Sequence, residues 1–170
     1  MITYRDAAST DAAALAAFAR DSFVDTFGHL YPPEDLASFI AEKYDAEVVR
    51  AEITGGETHW RLALQDDAIV GYSKIGGEFD LAIAHEPGAI ELHRLYVHVR
   101  VKGTGVAQNL MDEAMDWART QGAPALYLSV WENNHRAQSF YKSYGFEHVG
   151  EHGFMVGRQR DRDFIWRLAL

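Results

Sequence analysis

One short stretch of the chain, VHVRVKGTGVAQNLM at residues 97–111, combines glycines and basic residues in a spacing that suits phosphate binding. Two overlapping patterns fit it, Arg100-x-x-Gly103-x-Gly105 and Lys102-x-x-Gly105-x-Ala107. A helix that begins directly after such a turn presents unpaired backbone N–H groups and the positive end of its dipole. The stretch therefore predicts a site for an anionic, phosphate-bearing ligand.

The helix that follows the glycines decides which pattern applies. Its apolar face is formed by Val106, Leu110, Ala114 and Ala118. The first helical turn is therefore expected near residues 105–107, which favours the pattern that starts at Lys102 and leaves Gly103 inside the loop. A dinucleotide fingerprint would need a third glycine at Gln108, and a nucleotide P-loop would end in Gly-Lys-Ser/Thr. The chain has neither.

Acidic residues dominate a second segment, between Asp21 and Glu52. Eight carboxylates stand there against Lys43 and Arg50, which gives a net charge of −6 (8 − 2). Such a field attracts cationic ligands. An ordinary solvated helical face has the same composition, so both interpretations stay open at this point.

Alternating strands and helices must position these candidates. Strands are predicted at residues 2–5, 89–97, 125–131, 146–151 and 163–170, with a hairpin over residues 59–75 that turns at Asp66-Asp67. Helices are predicted at residues 6–27, 106–122 and 135–145, with one or two more over residues 32–53. Ser9, Thr10 and Asp11 are candidate caps of the first helix, and Gly122 and Gly145 are expected to end later ones. Helices between strands indicate a mixed α/β sheet.

Composition limits the function classes. The chain has 170 residues, 48% of them hydrophobic, which suits a single domain over residues 1–170. It has no cysteine, so a disulfide framework, a thiolate metal site and a cysteine nucleophile are excluded. The net charge of −9 argues against nucleic acid as a partner. Neither a signal peptide nor a membrane span is evident, so a cytoplasmic protein is expected.

Two motifs together resemble the GNAT N-acetyltransferase superfamily. The Lys102 pattern, with the hydrophobic pair Leu110-Met111 behind it, is similar to the family's Gln/Arg-x-x-Gly-x-Gly/Ala loop, although Lys102 replaces the usual Gln or Arg. The stretch WENNHRAQSFYKSYGF resembles the family's Asn-x-x-Ala-x-x-x-Tyr-x-x-x-Gly-Phe signature. The resemblance implies a GNAT fold, a central mixed and mostly antiparallel sheet flanked by helices in the order β-α-α-β-β-β-α-β-α-β-β.

The resemblance also implies a cosubstrate, acetyl-CoA, and no metal. The residues expected to bind it lie on the strand before the loop, on the loop itself and on the helix of the second motif. They are Leu95, Tyr96, Val97, Lys102, Gly103, Thr104, Gly105, Val106, Ala107, Gln108, Asn134, Ala137, Phe140 and Tyr141. The backbone of residues 95–97 is expected to pair with the pantetheine amides as an added strand does.

Acyl transfer to an amine needs a base and an acid. A primary ammonium with a pKa of about 10.4 is about 3.4 units from its nucleophilic form at pH 7, equivalent to ~4.6 kcal/mol. Glu91 and His93 lie two apart on the strand before the loop, so they project to one face, and either could take the proton directly or through water. By resemblance, Tyr141 is the acid that protonates the departing thiolate.

Nearly the whole chain is similar to PaiA-type spermidine/spermine acetyltransferases, notably residues 22–53 and the closing strand. This implies a small-molecule polyamine as acceptor, with Asp25, Glu34 and Asp35 as the carboxylates expected to reach it, since they flank the turn at residues 27–33. Two alternatives stay open: a GNAT enzyme for another amine, such as a peptide N-terminus, a lysine or an antibiotic, and a CoA-binding regulator without turnover. The sequence is also compatible with a homodimer.

Overall fold

Seven strands form one sheet in the order β1-β2-β3-β4-β5-β7-β6 in the computed structural model, which describes residues 1–170. The strands are β1 (Ile2–Asp6), β2 (Thr58–Gln65), β3 (Ala68–Gly76), β4 (Ile90–Val97), β5 (Ala125–Trp131), β6 (Glu147–Val156) and β7 (Gln159–Ala169). Every neighbouring pair is antiparallel except β4 and β5. The predicted mixed, mostly antiparallel sheet is confirmed.

Five α-helices flank the sheet. They are α1 (Ala12–Phe27), α2 (Pro33–Lys43), α3 (Ala46–Gly55), α4 (Val106–Thr120) and α5 (His135–Ser143). The predicted order has two helices between the first two strands, whereas the structure has three. The second predicted helix is split because Asp45 is the N-cap of α3, where its carboxylate accepts the backbone N–H of Glu47 at 2.8 Å.

Short turns complete the helix ends. A 3₁₀ turn at Ser9–Asp11 precedes α1, and the side chains of Ser9 and Thr10 cap nothing. The Asp11 carboxylate instead accepts the backbone N–H of Ala8 at 2.8 Å. At the C-terminal end of α4, Gly122 has a φ of +73°, which confirms that this glycine ends the helix.

The sequence predicts the turn of one hairpin correctly but underestimates the length of the other. The β2–β3 hairpin turns at Asp66 and Asp67, with φ of 50° and 63°, as predicted. The β6–β7 hairpin is longer than predicted, since β6 continues to Val156 and β7 begins at Gln159. Backbone pairing across a tight turn extends both strands through a stretch rich in charged residues.

The core lies on both faces of the sheet. Leu62 and Leu64 of β2 pack with α1, α2 and α3, whereas Ala63 between them packs with Val106 and Leu110 of α4. This alternation is the period of two that a strand with two covered faces requires. None of the helices has the length and apolar character needed to cross a lipid bilayer.

A gap opens in the middle of the sheet. The parallel strands β4 and β5 pair only at Ile90 with Leu126 and at Glu91 with Tyr127. Beyond these two pairs the strands diverge, although β4 continues for six residues and β5 for four, to Val97 and Trp131. The divergence leaves one edge of each strand without a neighbour.

Candidate functional site

A cleft of about 630 Å³ lies where β4 and β5 separate. Its walls come from β4, β5 and β7, from the first turn of α4, from α5 and from the segment that joins α1 to α2. The cleft therefore brings together both sequence motifs and the strand between Glu91 and Val97. Such a concave, partly apolar site with a few polar groups is the usual form of a small-molecule site.

One end of the cleft is the N-terminus of α4. The helix begins at Val106, and Gly105 is its N-cap with a φ of +92°, so the predicted start of the helix is confirmed. The first hydrogen bond of the helix runs from the N–H of Asn109 to the carbonyl of Gly105 at 3.0 Å. The N–H groups of the three residues between them therefore have no helical partner and are free to bind an anion.

The glycines of this turn are required by backbone conformation and not by packing. Gly103 has a φ of +81°, and a Cβ atom added to Gly103 or Gly105 would meet no atom within 4 Å. Gly105 itself does not line the cleft, whereas Gly103 does. Lys102, Gly103, Ala107 and Gln108 line the cleft. Thr104 and Val106 do not, because the Thr104 hydroxyl donates to the Val101 carbonyl at 2.7 Å and Val106 is buried in the core.

The unpaired edge of β4 forms one side of the cleft. Leu95, Tyr96 and Val97 line it, and their partners across the sheet are residues 71–73 of β3. No strand pairs with them on the β5 side. An extended ligand that carries amide groups can pair with such an edge as an added strand does.

Helix α5 supplies the opposite side. Asn134 is its N-cap, and the side-chain oxygen accepts the N–H of Ala137 at 3.2 Å. The side-chain NH₂ group of Asn134 is therefore left to donate into the cleft. Ala137, Phe140 and Tyr141 line the same wall.

Tyr141 is buried against two aromatic rings, with ring centroids 5.3 Å from Phe140 and 5.6 Å from Phe146. Burial raises the pKa of Tyr141 well above its usual value. The hydroxyl group thus keeps its proton at neutral pH, and the structure contains no hydrogen bond from it to the rest of the chain. A protonated hydroxyl without a protein partner in a ligand cleft can act as a proton donor.

Glu91 and His93 are in contact, as their predicted common face requires. The Oε1 atom of Glu91 lies 3.3 Å from Nδ1 of His93, and its Oε2 atom accepts the backbone N–H of Asp80 at 2.8 Å. The Nε2 atom of His93 lies 2.8 Å from the carbonyl of Gly76. The His93 ring is therefore held between the Gly76 carbonyl on one side and the Glu91 carboxyl group on the other.

The same three side chains could be considered for a metal. Ligand atoms of Asp80, Glu91 and His93 lie within 4.8 Å of one another. A metal ion would have to displace the hydrogen bonds that hold the His93 ring on both sides. The donor set therefore fits a hydrogen-bonded network better than a metal site.

Two aspartates of β7 that were not predicted as site residues, Asp161 and Asp163, also line the cleft. Asp161 accepts hydrogen bonds from the hydroxyl of Tyr31 and, at 3.2 Å, from the side chain of Gln159. Asp163 is only 8% exposed. Burial, and then the charge of Asp161, raise the pKa of Asp163 to about 6. The sequence contained a signal for both, because residues two apart on a strand share a face.

The structure does not bring Asp25, Glu34 and Asp35 into the cleft, which corrects their expected position. Glu34 and Asp35 lie in the first turn of α2 and pair with Arg158 of the β6–β7 turn at 3.5 Å and 3.3 Å. Asp25 points to solvent. In contrast, Glu52 of α3 lines the cleft and pairs with Lys74 at 2.7 Å.

Comparisons with known proteins agree with this geometry. The profile of the acetyltransferase (GNAT) family matches residues 16–146. An uncharacterised N-acetyltransferase from the pepI 3′ region of Lactobacillus delbrueckii subsp. lactis is 30% identical over 154 residues, 91% of this chain and 89% of that protein. The spermidine N(1)-acetyltransferase of Thermoplasma acidophilum is 27% identical over 150 residues, 86% and 88% of the two chains. The crystal structure of PaiA N-acetyltransferase from Thermoplasma acidophilum in complex with coenzyme A superimposes with a TM-score of 0.78 at 25% identity, covering 100% of this chain and 99% of that one.

Proposed function

The chain belongs to the acetyltransferase (GNAT) family, and from this premise we propose that it transfers an acetyl group from acetyl-CoA to a polyamine such as spermidine or spermine. The observation that carries the choice of acceptor is the set of carboxylates that line one cleft: Glu52, Asp80, Glu91, Asp161 and Asp163. The lining also contains five cationic side chains, of which Lys74 pairs with Glu52 and Arg94 lies over the Tyr44 ring, whereas Asp80, Asp161 and Asp163 have no salt bridge to Lys or Arg. A polyamine presents several ammonium groups along a slender chain, and a cleft lined by acidic groups attracts such a polycation.

The residues present fit acetyl-CoA. The free N–H groups at the start of α4, with Lys102 beside them, suit the phosphates. The gap between β4 and β5 suits the pantetheine arm, with the backbone of Leu95 to Val97 on one side and the Asn134 amide on the other. When bound, the cosubstrate supplies an acetyl group as a thioester.

Tyr141 and Glu91 are the residues of the chain that act on the two substrates in this proposal. Tyr141 holds a proton that it can give to the leaving sulfur, because burial keeps the phenol neutral. Glu91 lies against the His93 ring and accepts the N–H of Asp80, and these contacts fix its position in the cleft. In this proposal Glu91 attracts and orients the acceptor amine, and no covalent enzyme intermediate is needed, since the amine reacts directly within a ternary complex.

The relatives support this acceptor class. The spermidine N(1)-acetyltransferase of Thermoplasma acidophilum matches most of this chain, and the PaiA structure shares its fold over the full length. The family reuses one core for many amines, so the acidic lining of this particular cleft matters more to the choice than the fold does.

An amine panel tests the proposal. Acetyl-CoA consumption is measured with spermidine, spermine, a peptide with a free N-terminus, a lysine-containing peptide and an aminoglycoside. We expect the highest kcat/KM with spermidine or spermine, and a mass increase of one acetyl group on the product. Preference for a peptide or an antibiotic would overturn the polyamine choice, whereas CoA binding without turnover on any amine would indicate a regulator.

A further inference from the structure

We propose that Asp163 is the general base of the transfer and removes the proton from the acceptor ammonium. This inference rests on the proposed function, because it names the residue that prepares the amine within the same cleft. It moves the base from β4, where Glu91 and His93 were expected to serve, to the neighbouring half of the sheet on β7.

Asp163 is an unusual carboxylate in this structure. It is 8% exposed, it lies opposite Trp131 of β5 and His152 of β6, and it lines the cleft together with Tyr141. No salt bridge reaches its oxygens, and the Ser129 hydroxyl is the side-chain donor that interacts with them. A buried carboxylate with one neutral donor and no cation beside it is costly unless a ligand compensates it. An ammonium group in the cleft is the ligand that would do so.

The two residues on β4 are less suited to the role. Both oxygens of Glu91 are engaged, one with the N–H of Asp80 and the other with the His93 ring. The Nε2 atom of that ring lies against the Gly76 carbonyl and its Nδ1 atom faces Glu91, so both ring nitrogens have a protein neighbour. Of these three groups, Asp163 has the fewest protein contacts at its polar atoms.

Asp161 and Glu132 are the charged groups that act on Asp163. Asp161 lies two residues away on β7 and is held by the Tyr31 hydroxyl, and Glu132 follows β5. From β6, the cross-strand partner is His152, and burial lowers its pKa, so that it is neutral at pH 7. The nearby Arg162 is committed to Glu151 and Glu132.

This environment gives the base a suitable strength. Burial and the negative charge of Asp161 raise the pKa of Asp163 to about 6. At pH 7 the carboxylate is mostly ionised and ready to accept a proton, yet far more basic than an exposed aspartate. A pKa close to the working pH is what general-base catalysis favours.

The step balances as follows. Asp163 takes one proton from the ammonium, and the freed nitrogen lone pair forms the C–N bond to the acetyl carbonyl carbon. The C–S bond breaks and its electron pair leaves on sulfur, which takes the Tyr141 proton. The nitrogen then gives its second proton to the Tyr141 oxygen, which restores the phenol, and Asp163 releases its proton to solvent. One proton is released per acetyl group transferred.

The test compares Asp163→Asn with Asp161→Asn in spermidine acetylation as a function of pH. For wild type we expect kcat/KM to fall on the acidic side with an apparent pKa of about 6. Asp163→Asn is expected to lower kcat by roughly 10²- to 10⁴-fold and to remove this acidic limb, while the Kd of CoA measured by calorimetry stays unchanged. Asp161→Asn removes a negative charge beside the base, so the limb should move to lower pH and the spermidine KM should rise.

Two further measurements keep the outcomes distinct. Trifluoroethylamine is largely neutral at pH 7, so no proton has to be removed from it before attack. With this acceptor, Asp163→Asn should lower kcat much less than it does with spermidine. Glu34→Gln, outside the cleft, is the matched control and should leave the profile unchanged. An acidic limb that survives in Asp163→Asn, or a limb that does not move in Asp161→Asn, would overturn the role of Asp163. Failure of wild type to acetylate any amine would instead overturn the proposed function.

Discussion

The hydroxyl of Tyr31 donates a hydrogen bond to the carboxylate of Asp161, which joins the segment between α1 and α2 to strand β7. The two residues are 130 positions apart in the chain. The bond fixes an acidic group on the wall of the cleft and ties the N-terminal helices to the last hairpin. This wall of the cleft is therefore built from both ends of the sequence.

Removal of the Tyr31–Asp161 hydrogen bond should change the KM of the acceptor but not that of acetyl-CoA. In Tyr31→Phe, Asp161 loses a donor, and one hydrogen bond is worth about 0.5–1.5 kcal/mol. We expect the spermidine KM to rise roughly 2- to 12-fold with the acetyl-CoA KM unchanged. Tyr4→Phe is the control, since Tyr4 lies outside the cleft. Equal effects of Tyr31→Phe on both KM values would argue for a general loss of structure.

The glycine at the start of α4 can be tested against the glycine at its end. Gly105 and Gly122 both have a positive φ, and a Cβ atom on either would meet nothing within 4 Å. Alanine at either position should therefore cost about 1–2 kcal/mol of stability through backbone strain. Only Gly105→Ala should weaken CoA binding, by roughly 10- to 100-fold, because one charge-assisted hydrogen bond is worth about 1.5–3 kcal/mol. Calorimetric titration of CoA measures the difference, and equal Kd values would refute the assignment of the loop.

The hydroxyl of Tyr141 should matter for turnover and not for binding. Phenylalanine keeps the packing against Phe140 and Phe146 but removes the proton donor. We expect kcat to fall by roughly 10²- to 10⁴-fold with little change in the Kd of CoA. Tyr127→Phe is the matched control, because Tyr127 is also buried but donates to Glu86 outside the cleft. Unchanged turnover, with the chemical step shown to be rate-limiting, would leave Tyr141 a packing residue.

Asp163 should lower the stability of the free protein at neutral pH. Its folded-state pKa of about 6 lies above the usual value of 3.8, so the folded state binds the proton more tightly than the unfolded state. The stability contributed by the protonated form is present below pH 4 and is lost as pH rises through 6. Asp163→Asn should therefore raise the Tm at pH 7–8, by an amount equivalent to about 1–3 kcal/mol, and should have little effect near pH 4. A Tm difference that does not depend on pH would contradict this account.

Neutralising carboxylates inside the cleft should change the spermidine KM, whereas neutralising carboxylates outside it should not. The double variant Asp80→Asn/Asp161→Asn removes two charges from the lining, whereas Glu34→Gln/Asp35→Asn removes two charges that face Arg158. We expect only the first pair to raise the spermidine KM, by about 10-fold or more. The wild-type KM should also rise with salt, because exposed charges are screened beyond ~10 Å at 0.1 M. Identical KM values for the two double variants would remove the electrostatic support for a polyamine.

The fold was largely predictable because its signals are local. The apolar face of α4 and the glycine before it predicted the start of the helix correctly, and Asp66-Asp67 marked the first hairpin. The second hairpin was underestimated because residues 152–162 carry many charged side chains, which resemble a loop. Their pairing depends on the partner strand, which no local pattern reveals.

The acceptor site was less predictable because it depends on distant contacts. The acidic segment of the N-terminal helices suggested Asp25, Glu34 and Asp35, but the last two pair with Arg158, whose position is set by the β6–β7 turn. Asp161 and Asp163 enter the cleft because β7 lies beside β5, an arrangement that only the sheet order defines. Charge density along the sequence therefore does not show which carboxylates line the cleft.

The gap between β4 and β5 divides the sheet into two halves that meet at only two residue pairs, Ile90 with Leu126 and Glu91 with Tyr127. A cosubstrate seated in the gap would contact both halves and take the place of the missing ladder. Its binding free energy then adds to folding, by about 2.7 kcal/mol at a concentration of 100 times its Kd. We therefore expect amide hydrogen exchange to slow on both sides of the gap when CoA binds, as it would if the ligand were an eighth strand of the sheet.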